Sequence, residues 1–132
     1  MVQKPIWALS MLIVFAVTPA FTQSSANAGR VSIPFQFQAG QKTLPAGSYR
    51  ITHEGSTPTV LRVSESSKKE TVYVKIITRL AREDSSQGGT RLVFDSQGDQ
   101  RILSEVWLPG RDGFLVYGTA GKHTHEVVKE SN

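Results

Sequence analysis

The chain has 132 residues, 39% of them hydrophobic, which suffices for one domain with a single core. It has no cysteine, which excludes disulfide bonds, a thiolate nucleophile and a zinc–thiolate site. The formal net charge is +4, but the basic residues are dispersed and only Lys68 and Lys69 are adjacent. Nucleic-acid-binding proteins concentrate positive charge on one face, so we predict no nucleic-acid partner.

The first 28 residues have the layout of a secretory signal peptide. Lys4 precedes the apolar run PIWALSMLIVFAV, and Ala26-Asn27-Ala28 gives the small–x–small pattern of a cleavage site. We therefore predict that residues 1–28 are removed and that residues 29–132 form a single β domain, exported to the periplasm or the extracellular space, with no membrane span. The alternative is an uncleaved membrane anchor, because the run is near the lower limit of ~17 residues for a span.

The rest of the chain alternates apolar and polar residues with a period of two, which is the pattern of β-strands. Its first part contains four predicted strands: VSIPFQFQ (31–38), SYRITHE (48–54), TVLRVSE (59–65) and ETVYVKIITRLA (70–81). Pro34 cannot donate a hydrogen bond to a sheet, which favours an edge or an irregular start for the first strand. The segments between them, AGQKTLPAG (39–47), GSTP (55–58) and SSKK (66–69), are predicted turns or loops.

The second part begins with a predicted mobile loop, REDSSQGG (82–89). A hairpin follows, with TRLVFD (90–95) and RILSEVWL (101–108) joined through Gly98 and Asp99. FLVYG (114–118) and HTHEVV (123–128) are two further strands, and no long amphipathic helix is evident. We therefore predict an all-β fold, a single compact antiparallel β-sandwich or small barrel of about seven to eight strands.

Strict alternation in RILSEVWL places a glutamate on an apolar face. Leu103, Glu105 and Trp107 would share one face, while Ile102, Ser104, Val106 and Leu108 share the other. We favour a structural role, with Trp107 as a core anchor and Glu105 paired to an arginine such as Arg91. The alternative is a site for a ligand or partner, formed by the following residues: Glu105, Trp107, Phe114 and Tyr117.

The candidates for chemistry are few. Asp95 to Glu105 has acids around a glycine, but their spacing does not suit an EF-hand, and Gly98-Asp99 suits a turn. His123 and His125 share one face of a strand and are possible metal ligands. A third ligand such as His53 or Glu126 would be needed, although Glu126 points to the opposite face and His53 is distant in sequence. No nucleophile-elbow motif is present. We therefore predict a non-catalytic protein without a cofactor.

Two long segments carry a resemblance to a known group of proteins. IPFQFQAGQKTLPAGSYRI (33–51) and RLVFDSQGDQRILSEVW (91–107), with their spacing, resemble an uncharacterised family of small exported bacterial β-domain proteins. The resemblance covers most of the chain from Val31 to Gly110. It implies a signal peptide and an all-β exported domain, and it implies no particular activity. Beyond Gly110 the chain departs from the charged, helix-prone tail that the family leads us to expect.

Two hypotheses about function follow from the sequence. In the first, the protein is an exported, non-catalytic β domain that binds an envelope component or another protein, or has a structural role. In the second, it is a small exported metal-binding protein or enzyme that uses His53, His123 and His125. The second hypothesis requires these three side chains to meet in space.

Overall fold

The computed structural model describes residues 28–53, 59–67, 70–81 and 89–130, and in them all regular structure is β-strand. This confirms the predicted all-β fold. The predicted signal peptide up to Asn27, the turn at 55–58, Lys68, Lys69 and the loop at 82–88 lie outside the described residues. Among the described residues, no helix has the length and apolar character needed to cross a membrane.

The strands of the described residues form two sheets. The first sheet is antiparallel, in the order β1 (Ala28–Ile33), β4 (Gly47–His53), β5 (Val60–Glu65) and β6 (Thr71–Lys75). The second has the order β11 (Thr124–Lys129), β8 (Arg91–Gln97), β9 (Gln100–Trp107), β10 (Gly113–Leu115) and β7 (Thr78–Leu80). It also contains β2 (Phe37–Ala39) and β3 (Lys42–Leu44), and β2 joins β9 in parallel.

The described residues contain eleven strands, more than the seven to eight predicted, partly because two predicted strands are divided between the sheets. The chain leaves β1 at Pro34, which has no amide proton for a ladder, and re-enters the second sheet as β2. After β6, the amide of Ile76 donates to Thr59 O, whereas the amide of Ile77 donates to Leu115 O in the second sheet. Such bends form the corners at which strands pass between packed sheets.

A single cluster of buried side chains contains residues from both sheets. At its centre Phe94 packs edge-to-face against Phe35 and Phe37, with ring centroids 5.0 and 5.4 Å apart. Phe37 packs in the same manner on Tyr49 of the first sheet, at 5.1 Å. These edge-to-face contacts are the preferred arrangement of aromatic rings, and they join the two sheets without disulfide bonds.

A β-bulge changes the faces predicted for β9. Val93 pairs with Glu105 and Phe94 pairs with Leu103, so Ser104 is an extra residue without a partner on β8. A bulge of one residue reverses the alternation beyond it. The prediction that Leu103 shares a face with Glu105 and Trp107 is therefore wrong, because Leu103 lies in the core cluster with Val106.

A hydrogen bond from Tyr49 closes the loop formed by the LPAG segment (44–47). The Tyr49 hydroxyl is fully buried and donates a hydrogen bond of 2.5 Å to the carbonyl oxygen of Pro45. Burial, with smaller contributions from the charges of Glu65 and Glu70, raises the pKa of Tyr49 to about 12. The predicted loop at 39–47 also contains β3, which turns back on β2 at Gly40, where φ is +60°.

We expect this tyrosine to make the fold sensitive to alkaline pH. The pKa of Tyr49 is about 12 when folded against 10.0 ordinarily, so its stabilising effect is complete below pH 10 and is lost as pH rises toward 12. The loss should reach about 3 kcal/mol. At pH 7, Tyr49→Phe should lower the free energy of unfolding by about 1 kcal/mol, because one hydrogen bond is removed. At pH 12, urea denaturation should show Tyr49→Phe to be more stable than the unaltered protein. If the free energies of unfolding of the two proteins change in parallel with pH, the expectation is contradicted.

Candidate metal centre

Asp95 is a buried carboxylate on the outer face of the second sheet. It follows Phe94 on β8, and successive side chains of a strand point to opposite faces, so Phe94 enters the core and Asp95 points away from it. The side chain is nevertheless only 2% exposed. Thr119, in the segment between β10 and β11, donates a hydrogen bond of 2.7 Å from Oγ1 to Asp95 Oδ2.

The bulge on β9 anchors the segment that contains Thr119. The carbonyl oxygen of Ser104 accepts hydrogen bonds from the amides of Val116 and Tyr117, at 2.7 and 3.3 Å. The Ser104 hydroxyl donates in return to the carbonyl oxygen of Tyr117, at 2.6 Å. The bulge in the β8–β9 ladder thereby positions the segment whose Thr119 donates a hydrogen bond to Asp95.

Two histidines reach Asp95 from the neighbouring strand. β11 runs antiparallel to β8, with His125 directly opposite Asp95 and His123 two residues earlier. Nδ1 of His125 lies 2.9 Å from Asp95 Oδ1, and Nε2 of His123 lies 4.0 Å from Asp95 Oδ2. The two imidazole rings are edge-to-face, with centroids 5.0 Å apart. The predicted His123–His125 pair on one face is thus present.

A backbone contact fixes the tautomer of His123. Its Nδ1 lies 2.9 Å from the carbonyl oxygen of Gly121, which can only accept, so Nδ1 carries the proton. Gly121 has a φ of +87°, a conformation that favours glycine. In the neutral ring, Nε2 is then the nitrogen with the lone pair, and it faces Asp95. Metal-binding histidines are oriented in this way by a hydrogen bond from the nitrogen that does not bind the metal.

One carboxylate oxygen of this group has no hydrogen bond. Oδ1 of Asp95 is buried and lacks a hydrogen-bond partner, although Nδ1 of His125 is only 2.9 Å away, because the pair lacks the directional geometry of a hydrogen bond. One ligand atom from each of Asp95, His123 and His125 lies within 4.8 Å of the others. Tetrahedral bonds of ~2.0 Å place ligand atoms ~3.3 Å apart, so small side-chain rotations close the site. His123 and His125 are exposed enough to make them, at 23% and 55%.

The structure separates the other predicted ligands from this group. Glu126 points to the opposite face of β11, as predicted, and accepts a hydrogen bond from Arg101 Nε at 2.7 Å. His53 is not part of the cluster, because its Nδ1 lies 3.1 Å from Arg111 Nη1 and its ring packs on Phe114. The prediction that His53 meets the His123–His125 pair is therefore wrong, and Asp95 is the third member instead.

Glu105 and Trp107 lie outside the core. Trp107 is half-buried, so the prediction of a core anchor is wrong. Its Nε1 donates a hydrogen bond of 3.2 Å to Glu105 Oε1, while the Arg91 guanidinium lies 4.8 Å from its ring centroid. The ring also covers Gly113, where a Cβ atom would fall 2.7 Å from Cδ2. Arg91 therefore contacts the tryptophan rather than pairing with Glu105.

Phe114 and Tyr117, the other residues of the predicted partner site, differ in exposure. Phe114 is 1% exposed and belongs to the core cluster, although an edge of its ring lines a surface cleft. Tyr117 is 38% exposed. A partner site at Glu105, Trp107, Phe114 and Tyr117 stays a prediction.

The sequence interpretation missed Asp95 and Thr119 as site residues. The pattern places Asp95 at the end of a predicted strand, where the acids around Gly98 suggest only a calcium site. The available signal was an acid at the end of the apolar run LVF, on a strand able to pair with HTHEVV. Comparisons of the chain with family models, curated proteins and solved structures find no match. The resemblance to exported bacterial β-domain proteins therefore stays a prediction.

Proposed function

We propose that this protein is a non-catalytic, exported β-sandwich domain that binds one divalent transition-metal ion through Asp95, His123 and His125. Three protein ligands leave a fourth position of a tetrahedral ion for water, or for a group from an envelope component or a partner protein. The signal-peptide pattern supports export. The absence of a nucleophile motif from the sequence supports a binding role.

The convergence of one buried carboxylate and two imidazoles carries this proposal, because one ligand atom from each of Asp95, His123 and His125 lies within 4.8 Å of the others. Oδ1 of Asp95 is buried and makes no hydrogen bond, and a cation bound to it would offset the cost of that burial. Two imidazoles with one carboxylate suit zinc and similar ions, whereas calcium and magnesium prefer sites made of oxygen atoms. Zinc is therefore the reference ion, and calcium is the control ion.

We expect the purified protein to bind Zn²⁺ in a 1:1 ratio by titration calorimetry, and to bind no Ca²⁺ at the same concentration. If the ion binds only the folded chain, free zinc at 100 times the dissociation constant should raise the free energy of unfolding by about 2.7 kcal/mol. His125→Ala should remove most of the affinity for zinc, because it deletes a proposed ligand. The position is exposed on an edge strand, so the fold should be little affected.

Glu126→Gln is the matched control, because Glu126 lies on the same strand and points to the other face. It should bind zinc as the unaltered protein does. Equal affinity in His125→Ala, or equal binding of Ca²⁺ and Zn²⁺, would contradict the proposed metal centre.

A further inference from the structure

A cleft of about 280 Å³ lies beside edge strand β7, and its lining residues are Arg79, Gly110, Arg111, Asp112 and Phe114. Arg79 on β7 is the ladder partner of Phe114 on β10, so both side chains project to the same face of the sheet. None of these residues belongs to the group around Asp95. The cleft is therefore a separate feature of the fold.

Arg111 is held in place within this cleft. A guanidinium has no acceptor atom, so Arg111 Nη1 donates to Nδ1 of His53, at 3.1 Å. The Arg111 Cζ atom also lies 5.8 Å from the centroid of the Phe114 ring. These contacts orient the guanidinium before any ligand arrives, which lowers the ordering cost of binding.

His53 contacts Arg111, and its pKa is affected by the charges that line the cleft. Burial, then the charges of Arg111 and Arg79, hold the pKa of His53 below its usual value, which favours the neutral ring. Both guanidiniums therefore act on the same small region. The proton of the ring is on Nε2, because Nδ1 accepts from Arg111, and the buried Nε2 has no hydrogen-bond partner.

We propose that this cleft binds a single oxyanion group, a carboxylate or phosphate, of a small molecule. Guanidiniums bind such groups through paired, charge-assisted hydrogen bonds. Two arginines and Asp112 give the lining a formal charge of one positive unit, which suits one anionic group rather than a polyphosphate. The volume is just below the ~300 Å³ at which ligand pockets begin, which limits the ligand to a small molecule.

The test is an amide chemical-shift titration of the purified protein by NMR, with inorganic phosphate and with succinate, each matched in ionic strength by sodium chloride. We expect saturable shifts at residues 110–114 with at least one of the two anions. Arg79→Ala should weaken this binding at least ~10-fold, because one of two guanidiniums is lost. Arg30→Ala, an exposed arginine on β1, should bind as the unaltered protein does.

Shifts that rise linearly without saturation, or equal affinities in Arg79→Ala and Arg30→Ala, would overturn this proposal. Arg79 is an exposed side chain on an edge strand, so its loss leaves the core intact. His125→Ala should leave the anion titration unchanged. The anion titration and the zinc titration therefore test the two proposed sites independently.

Discussion

Phe94→Ala is expected to lower the free energy of unfolding by about 3–5 kcal/mol, since truncating a buried phenylalanine removes apolar burial and leaves a cavity. Phe94 is fully buried and contacts the rings of Phe35 and Phe37. A domain of this size is stable by only ~5–15 kcal/mol, and this one has no cysteine with which to form a disulfide bond. Urea denaturation followed by circular dichroism measures the change.

Tyr73→Ala is the control for this substitution. Tyr73 is also an aromatic residue on a strand, but it is 61% exposed. We expect its loss to change the free energy of unfolding by less than ~0.5 kcal/mol. Should Phe94→Ala fail to fold, Phe94→Leu keeps most of the volume and should give a smaller, measurable loss. Equal effects of the Phe94 and Tyr73 substitutions would contradict the described core.

Asp95→Asn is expected to lower zinc affinity about 100-fold or more without destabilising the metal-free protein. Substituting residues that merely support metal ligands costs ~10–100-fold, and Asp95 is proposed as a ligand itself. The asparagine oxygen can still accept from Thr119 Oγ1. Its uncharged amide nitrogen then takes the place of the buried Asp95 Oδ1, which makes no hydrogen bond. The substitution therefore removes the cost of burying a carboxylate charge.

Calorimetry with zinc and thermal unfolding with and without the ion check both parts of this expectation. Asp99→Asn serves as the control, because Asp99 is an exposed aspartate in the β8–β9 turn. It should leave zinc binding unchanged. Undiminished zinc affinity in Asp95→Asn would mean that Asp95 is not a ligand, and a strongly destabilised metal-free protein would mean that its charge serves the fold.

The local pattern of the chain was sufficient for much of the fold. Period-two alternation predicted β4, β5 and β11 nearly to the residue, and Gly98 forms the predicted hairpin turn with a φ of +59°. The same alternation placed His123 and His125 on one face and Glu126 on the other. These features depend on neighbours in sequence, because strand geometry fixes which side chains share a face.

Other features needed contacts between distant parts of the chain. The bends after β1 and β6 depend on how the two sheets pack together, and the bulge at Ser104 depends on how β9 pairs with β8. Alternation within one segment contains no information about either. Asp95 likewise becomes a third ligand only because β11 pairs with β8 in a register that places His125 opposite it, about thirty residues away in sequence. Val128 of β11 packs against the core, and the ladder of β11 with β8 extends that register to His125. The sequence alone therefore supplied the all-β class, most strand positions and the histidine pair, whereas the tertiary structure decided which carboxylate meets that pair.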